Sequence, residues 1–184
     1  MTDNKGFIDL EENIETTIYE GLLKLGFEKN DSFSIYYDLD LLSYLLGVTF
    51  ATEEECLKYL QNFIIFVKDR LPDIKISLEG KRFKFTVMED GIAYIYKKNK
   101  DNHFLKELIE TVKTHSFNLD DILKIFGKYS KEYVCEEINN SEFQYVIYFK
   151  DSTLDKFKYC FTFDQMGGYY HRLLDFSYNK IMQE

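Results

Sequence analysis

Apolar residues recur at helical spacing in the first stretch of the chain. Leu10, Ile14, Ile18, Leu22 and Leu25 fall on one face of a helix from about Asp9 to Leu25. Asp9 with Glu12 has the form of a capping box, and Gly26 is a natural stop. Brief alternation over 32–37 predicts an edge strand, and Asp38 or Asp40 is placed to cap a short helix, Leu39 to Leu46, ended by Gly47. Thr52 ahead of Glu53, Glu54 and Glu55 is the cleanest helix start in the chain, because the hydroxyl and the acids suit the unsatisfied amides of a first turn. This helix is expected to reach about Leu71, before Pro72, the only proline. Its middle, Phe63 to Val67, is apolar on every side, so it is expected to be buried all round as a central core element.

Period-two alternation then takes over. A hairpin is expected across Glu79-Gly80, pairing Ile76 with Phe83 and Ile74 with Phe85 on one face, with Lys75 and Lys84 on the other. Residues 91–96 fit either a strand or a helical turn, and 97–102 read as a loop. Phe104, Leu105, Leu108, Ile109 and Val112 form a helical stripe, and Asn118 or Asp120 starts another helix that ends near Gly127. From Tyr133 to Leu174 three or four strands follow in succession. Phe143, Tyr145, Ile147 and Phe149 are expected on one face of one strand, and Phe157, Tyr159, Phe161 and Phe163 on one face of the next. Turns are placed at Asn139–Glu142, Asp151–Asp155 and Gly167-Gly168. Asp175 is placed to cap a last helix, Phe176 to Met182.

The expected fold is therefore α+β. A helical N-terminal part carries a β-hairpin, a C-terminal antiparallel meander follows, and the core is rich in aromatic residues. At 184 residues one globular domain over 1–184 is expected, with a possible two-lobe division near 97–102.

Composition narrows the function classes. The net charge of −9 speaks against non-specific nucleic-acid binding, because phosphate contacts need a cationic footprint. The acidic excess lies in residues 1–92, with 10 Lys/Arg against 18 Asp/Glu. Glu11, Glu12, Glu15 and Glu20 are expected on solvated helix faces. Cys56, Cys135 and Cys160 show no C-x-x-C spacing, no secretory leader is expected at Met1–Lys5, and no apolar run approaches a membrane span. A cytoplasmic location is the expectation. Aromatic residues, all Tyr and Phe, make up 17% of the chain, enough to furnish a binding surface as well as a core.

Two clusters are candidates for chemistry. Tyr169, Tyr170, His171 and Arg172 follow the Gly167-Gly168 pair and include one of only three arginines. Alternation along a strand sends His171 and Arg172 to opposite faces, so they are poorly placed to share a ligand. Lys75, Lys81, Arg82 and Lys84 form a basic patch on the hairpin, but Phe83 and Phe85 between them belong to the core face; lysines on edge strands also guard against aggregation. No metal, cofactor or catalytic residue is expected, since His103, His115 and His171 lie far apart and no nucleophile or phosphate-binding motif occurs. The favoured function is a non-catalytic module that binds a protein partner. The alternatives are a small-molecule-binding protein or enzyme using His171 and Arg172, and a weak nucleic-acid binder using the hairpin 75–84.

Overall fold

The computed structural model describes residues 4–26, 32–138 and 140–183. Among them are seven helices and two antiparallel sheets, so the fold is α+β, with a helical N-terminal part and a C-terminal four-stranded meander. The chain divides into two compact units, Met1–Asp101 and Asn102–Glu184.

The first unit is built from α1 (Lys5–Leu25), β1 (Phe33–Tyr37), α2 (Leu39–Leu46), α3 (Glu53–Val67), β2 (Lys75–Glu79), β3 (Arg82–Val87) and α4 (Glu89–Asn99). Helix α1 begins before Asp9, so the Asp9/Glu12 cap does not form, and Asn4 at the N-cap makes no side-chain cap bond. Packing explains the earlier start. The Phe7 ring lies 5.5–5.7 Å from those of Tyr59, Phe63 and Phe66 on α3, which draws another turn into the helix. Asp38 caps α2 by accepting from the Leu41 N–H at 2.8 Å. Thr52 caps α3 through the Glu55 N–H, while the Glu55 carboxylate reaches back to the Ala51 N–H, one residue beyond the reciprocal bond of a capping box. Helix α3 ends at Val67 and continues to Leu71 only as turns. It is not buried all round. Cys56, Leu60, Phe63 and Val67 form its buried stripe, and Ile65 is 71% exposed.

Strand β3 is central in the order β1-β3-β2. The hairpin pairs Ile76 with Phe85 and Leu78 with Phe83 around a two-residue Gly80-Lys81 loop, a slip of two residues from the expected register. An even slip keeps every side chain on its face. Ile35, Tyr37, Phe83, Phe85 and Val87 are therefore buried, with Phe63 of α3 edge-on to Phe85 at 6.4 Å. Residues 91–96 are helical, and α4 absorbs the expected loop as far as Asn99; Lys97 and Lys98 in its last turn suit the negative helix end.

The second unit contains α5 (His103–Val112), α6 (Leu119–Tyr129), β4 (Tyr133–Glu137), β5 (Tyr145–Phe149), β6 (Lys158–Asp164), β7 (Gly167–Leu173) and α7 (Asp175–Met182). Asn118 and Asp121 form a full capping box for α6, which runs past Gly127 to Tyr129. The strands pair in sequence order, β4-β5-β6-β7. Helices α5 and α6 cover one face: Phe104 and Phe126 sit 4.9–5.6 Å from Phe149 and Tyr159. Helix α7 covers the other, where Tyr178 clusters with Phe143, Val146 and Cys160.

Phe143 therefore does not share the face of Ile147 and Phe149. Just before β5 the Gln144 backbone still bonds to Phe161 and Ile138, but the next rung, to Phe163, is made by its side-chain carboxamide. The carboxamide donates to the Phe163 carbonyl and accepts from the Phe163 N–H, at 3.2 and 2.9 Å. Phe143, one residue earlier, packs toward α7. Asp175 does not cap α7; it lies in the first turn and pairs with Lys158 at 3.2 Å. Of the expected turn at 139–142, Asn139 lies outside the described residues, and the Asn140 side chain accepts from the N–H groups of Glu142 and Phe143.

Candidate functional site

Gly167 and Gly168 are the first residues of β7, not a turn. The turn is Gln165-Met166, closed by Asp164, which accepts from the N–H groups of Met166 and Gly167. The glycines serve a close approach. The Gly168 N–H donates to the His115 carbonyl at 3.0 Å, and His115 Nδ1 lies 3.1 Å from the Gly168 carbonyl, which pins the α5–α6 loop to the strand. A Cβ at Gly168 would lie 2.5 Å from the Phe117 ring, and one at Gly167 only 2.3 Å from the His115 carbonyl oxygen.

The four candidate residues beyond the glycines diverge. Register places Tyr170 opposite Phe161 and Arg172 opposite Tyr159, on the face covered by α5 and α6. Tyr169 and His171 lie on the other face, opposite Thr162 and Cys160. The Arg172 guanidinium stacks on the Phe157 ring at 4.0 Å, and His171 lies 5.5 Å from Phe143. The sheet itself separates the two side chains.

The hairpin cations have a different setting. The outward face of β1-β3-β2 carries Ser34, Tyr36, Lys75, Ser77, Glu79 and Arg82, all exposed, with Lys84 and Thr86 half-buried between them. Tyr36 comes from β1, beside Lys84 on β3, so the aromatic partner of these cations comes from outside the hairpin. Arg82 lies over its ring at 5.3 Å and Lys84 at 5.9 Å. Glu79 accepts from Lys84 at 3.1 Å and from the Tyr36 hydroxyl at 3.3 Å, and the hydrogen bond to Glu79 raises the Lys84 pKa. Ser34 and Thr86 share a hydroxyl bond at 2.9 Å. Lys81 sits at the hairpin loop, off this face. The result is a patch of three cations and one carboxylate around a single exposed aromatic ring.

A third cluster was hidden among residues expected on solvated surfaces. Glu11 and Glu15, one turn apart on α1, are 6% and 2% exposed. Arg70 grips Glu11 with both prongs, Nη2 to Oε2 at 3.0 Å, and Lys98 donates to Glu15 Oε2 at 2.6 Å. Between them Asn13 accepts from the Tyr37 hydroxyl at 2.7 Å. Glu15 Oε1 is buried without a hydrogen-bond partner. Burial pushes the Glu15 pKa up against the pull of Lys98. Burial opposes the charge of Lys98, but the hydrogen bond and charge of Glu15 outweigh it and its pKa is raised. This network ties α1 to the turn after α3 and to α4, so its role is structural. The available signal was position: Glu11 and Glu15 directly follow Leu10 and Ile14, at the border of the apolar stripe.

Burial pushes the thiols of Cys56 and Cys160 up to about 12, and raises that of the exposed Cys135 as well. None is primed as a nucleophile. Among the described residues no cluster of three or more His, Cys, Asp or Glu is gathered to hold a metal, and no helix is long and apolar enough to cross a membrane. A cavity of about 200 Å³ in the second unit is lined by Lys150, Lys156, Lys158, Asp155 and Asp175. Several of its charges are engaged locally: Lys158 lies over the Tyr178 ring at 4.4 Å while paired with Asp175, and Asp155 accepts from the Phe157 N–H and the Tyr159 hydroxyl.

No curated protein and no solved structure matches the chain. Residues 7–182 match the model of a family described as "Domain of unknown function, E. rectale Gene description (DUF3877)". That match spans nearly the whole chain, which therefore belongs to the DUF3877 family.

Proposed function

We propose that this chain is a non-catalytic module that recognises a protein partner through the outward face of β1-β3-β2. The observation that carries this is the Tyr36, Arg82 and Lys84 cluster on an uncovered sheet. Three cations, Lys75, Arg82 and Lys84, share that face with one carboxylate, Glu79, on a chain of net charge −9. An aromatic ring flanked by arginine and lysine, held by cross-strand contacts, loses little side-chain freedom on binding.

The test is affinity capture from the native host with the wild-type chain and with a Tyr36→Ala, Arg82→Glu, Lys84→Glu variant, both shown folded by circular dichroism. A specific protein retained by the wild type and lost by the variant supports the proposal. A partner held equally by both places recognition elsewhere and refutes it.

A further inference from the structure

The outward face of β1-β3-β2 also has a definite spacing. Lys84 and Arg82 are two residues apart on β3, and Lys75 lies diagonal to Lys84 on β2, where it pairs with Thr86. Alternate residues on a strand lie about 7 Å apart, and diagonal cross-strand neighbours about 7–8 Å. The three cations therefore form a track with a step of about 7 Å. An extended peptide laid along that track presents alternate side chains at nearly the same interval. We infer that the segment recognised here is an extended acidic stretch of a partner protein, with carboxylates at every second residue. This inference rests on the protein-docking proposal and specifies its ligand.

The make-up of the face favours a peptide over the other polyanion that would suit cations, a single-stranded nucleic acid. Single-stranded nucleic acid on a sheet combines phosphate contacts with bases stacked on open aromatic rings. Here one aromatic ring stands on the face, and Arg82 and Lys84 already lie over it. A base would have to displace the cations that would attract its phosphates. Glu79, at the hairpin end of the track and bonded to Lys84, limits the cationic stretch to Arg82, Lys84 and Lys75, the reach of a short segment. Arg82 supplies a planar fork that fits one carboxylate. Ser34, Ser77 and Thr86 are small and polar, so nothing bulky obstructs a strand lying across them.

The experiment is fluorescence anisotropy with the full chain and three labelled probes: a Glu-Ser repeat peptide of ten residues, the matching Gln-Ser repeat, and an oligothymidylate of ten nucleotides. The Glu-Ser probe is expected to bind and to weaken with added salt, and the Gln-Ser probe not to bind. Arg82→Ala with Lys84→Ala is expected to weaken Glu-Ser binding by about tenfold, while Lys106→Ala with Lys124→Ala in the second unit leaves it unchanged. The inference is overturned if the acidic peptide fails to bind, if the glutamine peptide binds equally, if the double variant has no effect, or if the oligonucleotide binds more tightly. Should host capture depend on this face while the acidic peptide fails, the docking proposal stands and only the ligand assignment falls.

Discussion

The two sheets answer the same problem differently. In β1-β3-β2 one face is covered, and the burial of β3 alternates along its whole length. In β4-β5-β6-β7 helices lie on both faces, and Tyr159, Cys160 and Phe161 of β6 are buried one after another. A sheet covered on one side leaves its second face available for recognition, whereas a sheet covered on both sides is committed to holding its unit together. The units also differ in what they bury. The first encloses a charged network around α1, and the second encloses tightly packed rings.

The largest expected effect separates the two sheets. Phe126→Ala removes a fully buried ring that touches Phe104, Tyr133, Phe149 and Tyr159, and should cost about 3–5 kcal/mol in urea unfolding. Tyr36→Ala on the open face, which loses only cross-strand and cation–π contacts, should cost about 1 kcal/mol or less. Similar losses at both positions would break the contrast.

Next comes the buried charge of the first unit. Arg70→Met leaves the Glu11 carboxylate buried without its cation, a situation that costs about 3 kcal/mol at full burial and nearer 2 here, because the Arg70 side chain is 35% exposed. Adding Glu11→Leu should restore most of that loss. A double variant no more stable than the single would show that Glu11 is not the group that needs Arg70.

Glycines sharpen the picture of the second unit. Gly168→Ala drives a methyl into the Phe117 ring and should destabilise by about 1–3 kcal/mol. Gly127→Ala, in helix α6 and with Tyr133 at an ordinary 3.7 Å, should instead stabilise by about 0.5–1 kcal/mol. Thermal melts that rank the two the other way would contradict the close packing of the α5–α6 loop on β7.

The smallest effect is on pH dependence. The folded chain holds Glu15 above its ordinary carboxylate range because of burial. As pH rises through about 4.5 the unfolded chain loses this proton first, so Glu15 costs the wild type stability between that pH and its folded pKa. Glu15→Gln does not titrate, so its stability relative to wild type should increase from pH 4.5 to 6.5. A difference that stays constant across that range would rule out a burial-raised Glu15.

The two sheets also mark what a sequence can disclose. Alternation at Arg82–Val87 and the aromatic strands at Tyr145–Phe149 and Lys158–Asp164 were legible because a pleat repeats every two residues, and so were the Thr52 cap and, each as one of two candidates, Asp38 and Asn118. The side-chain rung at Gln144 was not, since it depends on pairing with Phe163, 19 residues away. The buried network was hidden for the same reason at longer range: Arg70 and Lys98 lie 59 and 83 residues from their carboxylates. Tyr36 among the hairpin cations is likewise a product of pairing between β1 and β3, so the candidate surface was only half visible.

The three cysteines give the chain its own reporters. Cys56 is buried in the first unit and Cys160 in the second, while Cys135 on edge strand β4 is exposed. Once Cys135 is blocked or replaced by serine, a thiol reagent can reach each remaining sulfur only when the surrounding unit opens. Labelling rates followed by peptide mass spectrometry would then yield a separate opening equilibrium for each unit, from one native sample and without denaturant.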